Sequence, residues 1–164
     1  MRYIGEIMVY ISGFGTKYAA RILGSAIGAA GLASAAAAAA PAATLEVNIS
    51  GLRSQKGNVL VCVTANARFF PDCSKDPKSH RATVPARDSA QVSLRGIAQG
   101  TYAIAVIHDE NGNAKMDMAV FIPKEGFGFS RNPAIRTGPP KFKAAAFVID
   151  AAQISQQVKM KYML

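Results

Sequence analysis

The sequence is poor in the residues from which most catalytic and metal centres are built. It holds two histidines and two cysteines in 164 residues. Neither His80 nor His108 lies in an H-E-x-x-H arrangement, and no G-x-S-x-G occurs. The two commonest signatures of hydrolysis, a zinc-peptidase helix and a serine nucleophile elbow, are therefore missing. Zinc is disfavoured further because no second histidine or free cysteine stands near His108. Cys62 and Cys73 form no C-x-x-C pair, and only His80 is at hand as a base for a catalytic thiol. No cysteine precedes Cys62, so an N-terminal lipid anchor is not expected. There is no internal repeat, no convincing helical stripe and no nucleic-acid motif. Acidic residues are scarce as well, 10 against 19 basic ones, for a formal net charge of +9.

What the sequence does have is an export pattern. Residues 1–43 read as a signal peptide, with residues 44–164 as the working domain. Lys17 and Arg21 precede Ile22–Ala40, a run composed almost entirely of Ala, Gly, Leu and Ile. Small residues at Ala39-Pro41 and Ala40-Ala42 supply the kind of site a signal peptidase cuts behind. The stretch ahead of the apolar run is long for such a leader, which moves the expected start further in, to a position such as Met8. The run is long enough to be weighed as a membrane span. Its Ala/Gly composition is only weakly apolar, however, and no basic stop-transfer cluster follows. The expectation is cleavage, a periplasmic or secreted destination, and a mature form without a stable membrane span.

That destination bears on the rest of the chain. The leader carries Arg2, Lys17 and Arg21 against Glu6, so +2 of the +9 leaves with it and +7 remains. Such a surface favours anionic neighbours, such as membrane headgroups, an acidic polymer or an acidic envelope protein. Nucleic acid is not expected as a partner. In an oxidising compartment Cys62 and Cys73 are expected to form a disulfide, worth about 3 kcal/mol in the chain-entropy view.

The mature sequence alternates like strands nearly throughout. Leu45, Val47 and Ile49 alternate with Glu46 and Asn48, and Val92 and Leu94 with Gln91, Ser93 and Arg95. Val59–Val63 is a continuous apolar run, as in a strand covered on both faces. Tyr102, Ile104 and Val106 share one face of a further strand. Ala145, Phe147 and Ile149 predict another, and Val158, Met160, Tyr162 and Leu164 predict a last one with all four inward. Turn signals separate these runs, among them Lys56-Gly57-Asn58, Gln99-Gly100 and Asn111-Gly112. The expected fold is all-β, a single antiparallel β-sandwich of about seven strands. Two long irregular stretches interrupt it, Asn66–Ser79 and Met118–Lys143, and the disulfide is expected to pin the first.

Two sets of residues carry a resemblance. Leu94-Arg95-Gly96-Ile97 followed by Gly100-Thr101-Tyr102-Ala103-Ile104-Ala105-Val106 resembles the strand–turn–strand signature of transthyretin-like and collagen-adhesin B-type sandwich modules. Ile107-His108-Asp109-Glu110-Asn111-Gly112-Asn113, then Asp117, then Ile122-Pro123-Lys124-Glu125-Gly126-Phe127-Gly128-Phe129-Ser130, resembles the bacterial family called domain of unknown function 2141. The resemblance spans Leu45–Leu164. It implies an exported β-sandwich and supplies no reaction. The sequence departs from the family pattern at Phe121, since family members often have Gly just before the Ile-Pro pair.

One loop has the composition of a cation site. Asp109, Asn111, Asn113 and Asp117 fall at relative positions 1, 3, 5 and 9, with the Lys115 carbonyl at 7. Calcium wants several hard oxygen ligands around a short flexible loop. The match to a calcium loop is incomplete, because Val120 stands where a bidentate Glu belongs and Gly112 sits early. Glu125, in the next segment, is a candidate to close the shell, which the sequence alone does not show. The same residues also suit a polar turn, since Asn-Gly after a strand marks a hairpin and Asp and Asn bond their own backbone. Both readings stand open. His108 shares a face with Tyr102, Ile104 and Val106, the place of a hydrogen-bonded interior residue. Gly126-Phe127-Gly128-Phe129 reads as a bent strand whose rings plug the sandwich, or as an aromatic platform beside an anion-binding rim of Arg131, Arg136, Lys141 and Lys143.

Two functions follow as expectations. The first is a non-enzymatic binding or structural module with a calcium-stabilised loop. The second is an enzyme, or enzyme accessory, acting on a cell-envelope polymer through His108, Asp109 and Glu125. It requires those three side chains to converge in a cleft.

Overall fold

In the computed structural model the described residues are 42–136 and 138–164, so the expected leader lies almost wholly outside them. Period-two alternation sets β1 (Ala43–Ser50), which buries Ala43, Leu45, Val47 and Ile49. The apolar run becomes β2 (Asn58–Thr64). It is followed by β3 (His80–Pro85), β4 (Gln91–Ile97) and β5 (Gly100–Asp109). Two-residue strands β6 (Met118–Ala119) and β7 (Ile122–Pro123) form a small hairpin. β8 (Gly126–Phe129), one helical turn α1 (Phe142–Ala145), β9 (Phe147–Ile149) and β10 (Gln153–Lys159) complete the chain.

These strands make a sandwich-like all-β fold. One sheet has the order β10-β1-β4 and the other β3-β2-β5-β8, with β9 pairing the start of β5. All pairings are antiparallel except β1 with β10, which run parallel from Thr44–Gln153 to Ser50–Lys159. Parallel neighbours need a long crossover. Here the chain passes through β4 and the whole second sheet before β10 returns to the other side of β1. Alternation within a strand carries no record of its partner's direction, so sequence alone could not reveal this pair.

Three local expectations change. Ala145 lies in α1, and the strand begins at Phe147. The last strand ends at Lys159. Val158 and Met160 are buried as expected, Tyr162 is half-buried, and Leu164 is exposed. β3 was not expected. Its Arg81 and Pro85 suit an edge strand, paired on one side only.

The second sheet has two different faces. Inward, Val59, Val61, Val63, Tyr102, Ile104 and Val106 belong to an aliphatic core shared with the first sheet. Outward, Ala103 and Ala105 leave room for Phe127 and Phe129, with Phe70, Met116, Ile135 and Phe142 packed over them. The two rings therefore fill the outer face, not the space between the sheets. The alternating glycines explain why. A Cβ on Gly128 would lie 2.6 Å from Val158 Cγ1, and one on Gly126 would lie 2.3 Å from the Tyr162 ring. Glycine on the inner side of β8 lets the end of the chain cross close to it, while phenylalanine occupies the outer side.

The loop between β2 and β3 is tied to this outer face. Cys62 and Cys73 form a disulfide. The Thr64 hydroxyl donates to the buried Asp76 carboxylate, which also accepts from the Lys78 N–H. The Thr64 bond, with the Lys78 N–H behind it, holds the Asp76 pKa below its ordinary value. Both sheets and both core clusters lie inside the Ala38–Leu164 unit, which thus carries a complete core of its own.

Candidate functional site at the Asp109 loop

The site begins where β5 runs out. Asp109 is the last residue of that strand and is buried. Its Oδ1 accepts from the N–H of Gly112 at 2.8 Å and of Asn113 at 3.1 Å, and its Oδ2 from the N–H of Ala114 at 2.7 Å. A carboxylate that gathers three backbone donors folds the loop around itself. Gly112 and Ala114 supply the required bends with φ of 75° and 59°. The asparagines continue the pattern. Asn111 Oδ1 accepts from the Asn113 N–H, and Asn113 Oδ1 from the Lys115 N–H. Their Nδ2 groups both donate to Asp117 Oδ2, at 2.7 and 2.9 Å. All five expected loop residues, Asp109, Asn111, Asn113, Lys115 and Asp117, are thus gathered in one bonded loop.

The next segment brings a third carboxylate. β5 and β8 pair His108 with Gly126. One step further along the same register sets Glu125 opposite Asp109, two acids at a cross-strand position where like charges repel. Glu125 Oε2 accepts from the Asp117 N–H at 3.3 Å. Glu125 Oε1 is buried without a hydrogen-bond partner among the described residues, and Glu125 as a whole is only 4% exposed. Burial is the main force raising the Glu125 pKa above its ordinary value, with the charges of Asp109 and Asp117 adding to it. A buried oxygen left unpaired beside two further acids is a place where a cation would be stabilised. Among the described residues, no three His, Cys, Asp or Glu side chains are gathered closely enough to hold a metal by themselves. Amide and carbonyl oxygens would have to complete such a shell.

His108 is built into a different structure. It is fully buried on the inner side of β5. Its Nε2 lies 2.9 Å from the Lys56 carbonyl, which can only accept, so Nε2 carries a hydrogen. The Tyr162 hydroxyl lies 2.7 Å from Nδ1 and accepts the Arg53 N–H. Arg53 stacks over Tyr162 at 4.6 Å and pairs with Glu110, whose carboxylate also accepts from Ser54. The Arg53 bond holds the Glu110 pKa below its ordinary value. Arg53 reaches the carbonyls of Lys124 and Leu164 as well. This cluster latches the end of the chain to the base of the loop. Sequence reading missed it, since Arg53, Glu110 and Tyr162 are remote from one another in the chain.

The three residues proposed for acid–base work are not brought together. Successive residues of a strand point to opposite faces. His108 is committed to Lys56 and Tyr162, Asp109 to its loop, and only Asp109 and Glu125 are neighbours. All three are buried. The candidate rim of Arg131, Arg136, Lys141 and Lys143 is exposed. No described helix is long and apolar enough to cross a membrane.

No curated protein and no solved structure matches the chain. A family profile does match, over residues 47–157, from within β1 to within β10. It takes in both sheets, the Asp109 loop and Glu125, and on that extent the chain belongs to the family DUF2141, described as an uncharacterized protein conserved in bacteria.

Proposed function

We propose that this domain works outside the cytoplasm as a binding module without catalytic residues of its own, and that its Asp109–Asp117 loop, closed by Glu125, takes up calcium. The observation that carries the reading is Glu125 Oε1, a buried and unpartnered carboxylate oxygen opposite Asp109 and beside Asp117. A divalent cation there would offset the repulsion of the acids and supply the missing partner. The Asx-type bonds already bend the loop around its carboxylate and amide groups. The disulfide and the export pattern support an extracytoplasmic setting, where a weak calcium site can be filled.

Thermal unfolding of the Ala38–Leu164 unit, with chelator and with about 10 mM calcium, tests this. For a dissociation constant of about 0.1–1 mM, calcium should add about 1–3 kcal/mol. That corresponds to a rise in Tm of about 4–10 °C. Glu125→Gln should abolish the response. It should also stabilise the calcium-free protein by about 0.2–1 kcal/mol, because a like-charge pair is removed. A wild-type Tm indifferent to calcium, or a variant that responds as wild type does, would sink the calcium reading.

A further inference from the structure

The hairpin that grows from this loop presents an unusual surface. Asp117 and Lys124 close its root through the Lys124 N–H and the Asp117 carbonyl. Beyond them β6 and β7 pair only Met118 with Pro123 and Ala119 with Ile122. At the tip, Val120 is 86% exposed and Phe121 88%, and Met118 and Ile122 beside them are about half exposed. Val120 holds a φ of 58°, a conformation that β-branched residues resist. Two large apolar side chains therefore stand in water on a two-residue turn, with two half-exposed ones on the strands beside it. Scattered apolar residues on a surface need no explanation, whereas a contiguous group marks a contact surface.

The surroundings indicate what that contact is. Lys115 and Lys124 flank the hairpin and are exposed. Between Glu125 and Asp150 the chain carries Arg131, Arg136, Lys141 and Lys143 and no acidic residue. Met116, just ahead of the hairpin, and Ile135, next to Arg136, pack on the same Phe127–Phe129 cluster. The root of the hairpin and the basic segment thus lie on one side of the second sheet. The nearby acids do not share that exposure: Asp109 and Glu125 are buried, Asp117 accepts from the Asn111 and Asn113 amides, and Glu110 pairs with Arg53. An apolar tip with exposed lysines at its root has the chemistry of an interfacial anchor, where side chains enter the acyl boundary and cations meet phosphate.

We infer that the Met118–Pro123 hairpin docks this domain on an anionic phospholipid surface, Phe121 and Val120 entering the bilayer interface. The inference is independent of calcium, and its test is run in chelator throughout. The Ala38–Leu164 unit is mixed with vesicles of phosphatidylcholine alone or with phosphatidylglycerol added, and the bound fraction is measured by co-sedimentation. Binding is expected only with phosphatidylglycerol. Phe121→Ser combined with Val120→Ser should lower it by about tenfold or more. Neutralising Lys124 to Gln should lower it by about fivefold. These residues are exposed, so Tm should stay at the wild-type value, which separates lost docking from lost folding. No binding to phosphatidylglycerol vesicles overturns the inference. So does binding that survives the double tip variant, or a tip that captures a protein while vesicles are ignored.

Discussion

The two faces of the second sheet are stabilised by different means. The inner face is aliphatic and meets the first sheet directly, with Ile104 and Val106 fully buried among valines and leucines. The outer face meets no sheet. Loops and the single helical turn α1 cover it, and they are held by particular devices: the Cys62–Cys73 bond, the Thr64–Asp76 bond, the phenylalanine cluster and the self-bonded Asp109 loop. Non-directional burial suffices where two sheets stack. A covering loop has to satisfy its own backbone and offset its own ordering, so it needs specific bonds. The candidate site belongs to this second regime, and so does the exposed hairpin.

Ile104→Ala on the inner face should cost about 2–5 kcal/mol, since it opens a cavity between packed sheets. Urea unfolding should show a large fall in midpoint with little change in slope. A loss under 1 kcal/mol would mean that the inner face is not the main source of stability. Replacing both Cys62 and Cys73 by Ser should cost about 3 kcal/mol, or about 10 °C in Tm. Hydrogen exchange sharpens this. Protection should fall in residues 66–79 well before it falls in β1 or β5, because the bond holds a covering loop and not the sheets. Uniform loss would merge the two regimes.

The smallest effect expected here is electrostatic. Asp76 has its pKa held below 3.8 in the folded protein, chiefly by the Thr64 hydroxyl. A depressed carboxylate stabilises the fold above its unfolded value, and that contribution is lost as pH falls through the folded value. The advantage of wild type over Asp76→Asn should therefore be constant from neutral pH down to the ordinary carboxylate range, then shrink on further acidification. Urea midpoints measured across that range would decide it. An advantage that grows in acid would contradict the assigned role of the Thr64 bond.

Much of the inner face was legible in the sequence. The alternation of Leu45, Val47 and Ile49, and of Tyr102, Ile104 and Val106, predicts strands that the structure has, because burial against a flat partner imposes a period of two. The outer face was less legible. Phe127 and Phe129 show the same alternation, yet which side of the sheet they fill depends on where Val158 and Tyr162 cross β8. The residues of the Asp109 loop were visible as a spacing, and their hydrogen bonds are local ones. The pairing of Glu125 with Asp109 was not, because it is set by strand register across an intervening hairpin.

By itself, then, the amino-acid sequence determined the β class, the main strands, the cysteine pair and the polar loop. Each of these depends on neighbours in the chain or on a simple choice between core and solvent. Only the tertiary structure decided the parallel return of β10 to β1, the outward packing of the phenylalanines and the latch of Arg53, Glu110, Tyr162 and His108. It also decided the burial of an unpaired Glu125 oxygen and the exposure of Phe121. These depend on contacts between residues remote in the chain, and side-chain periodicity carries no information about which distant segment will arrive.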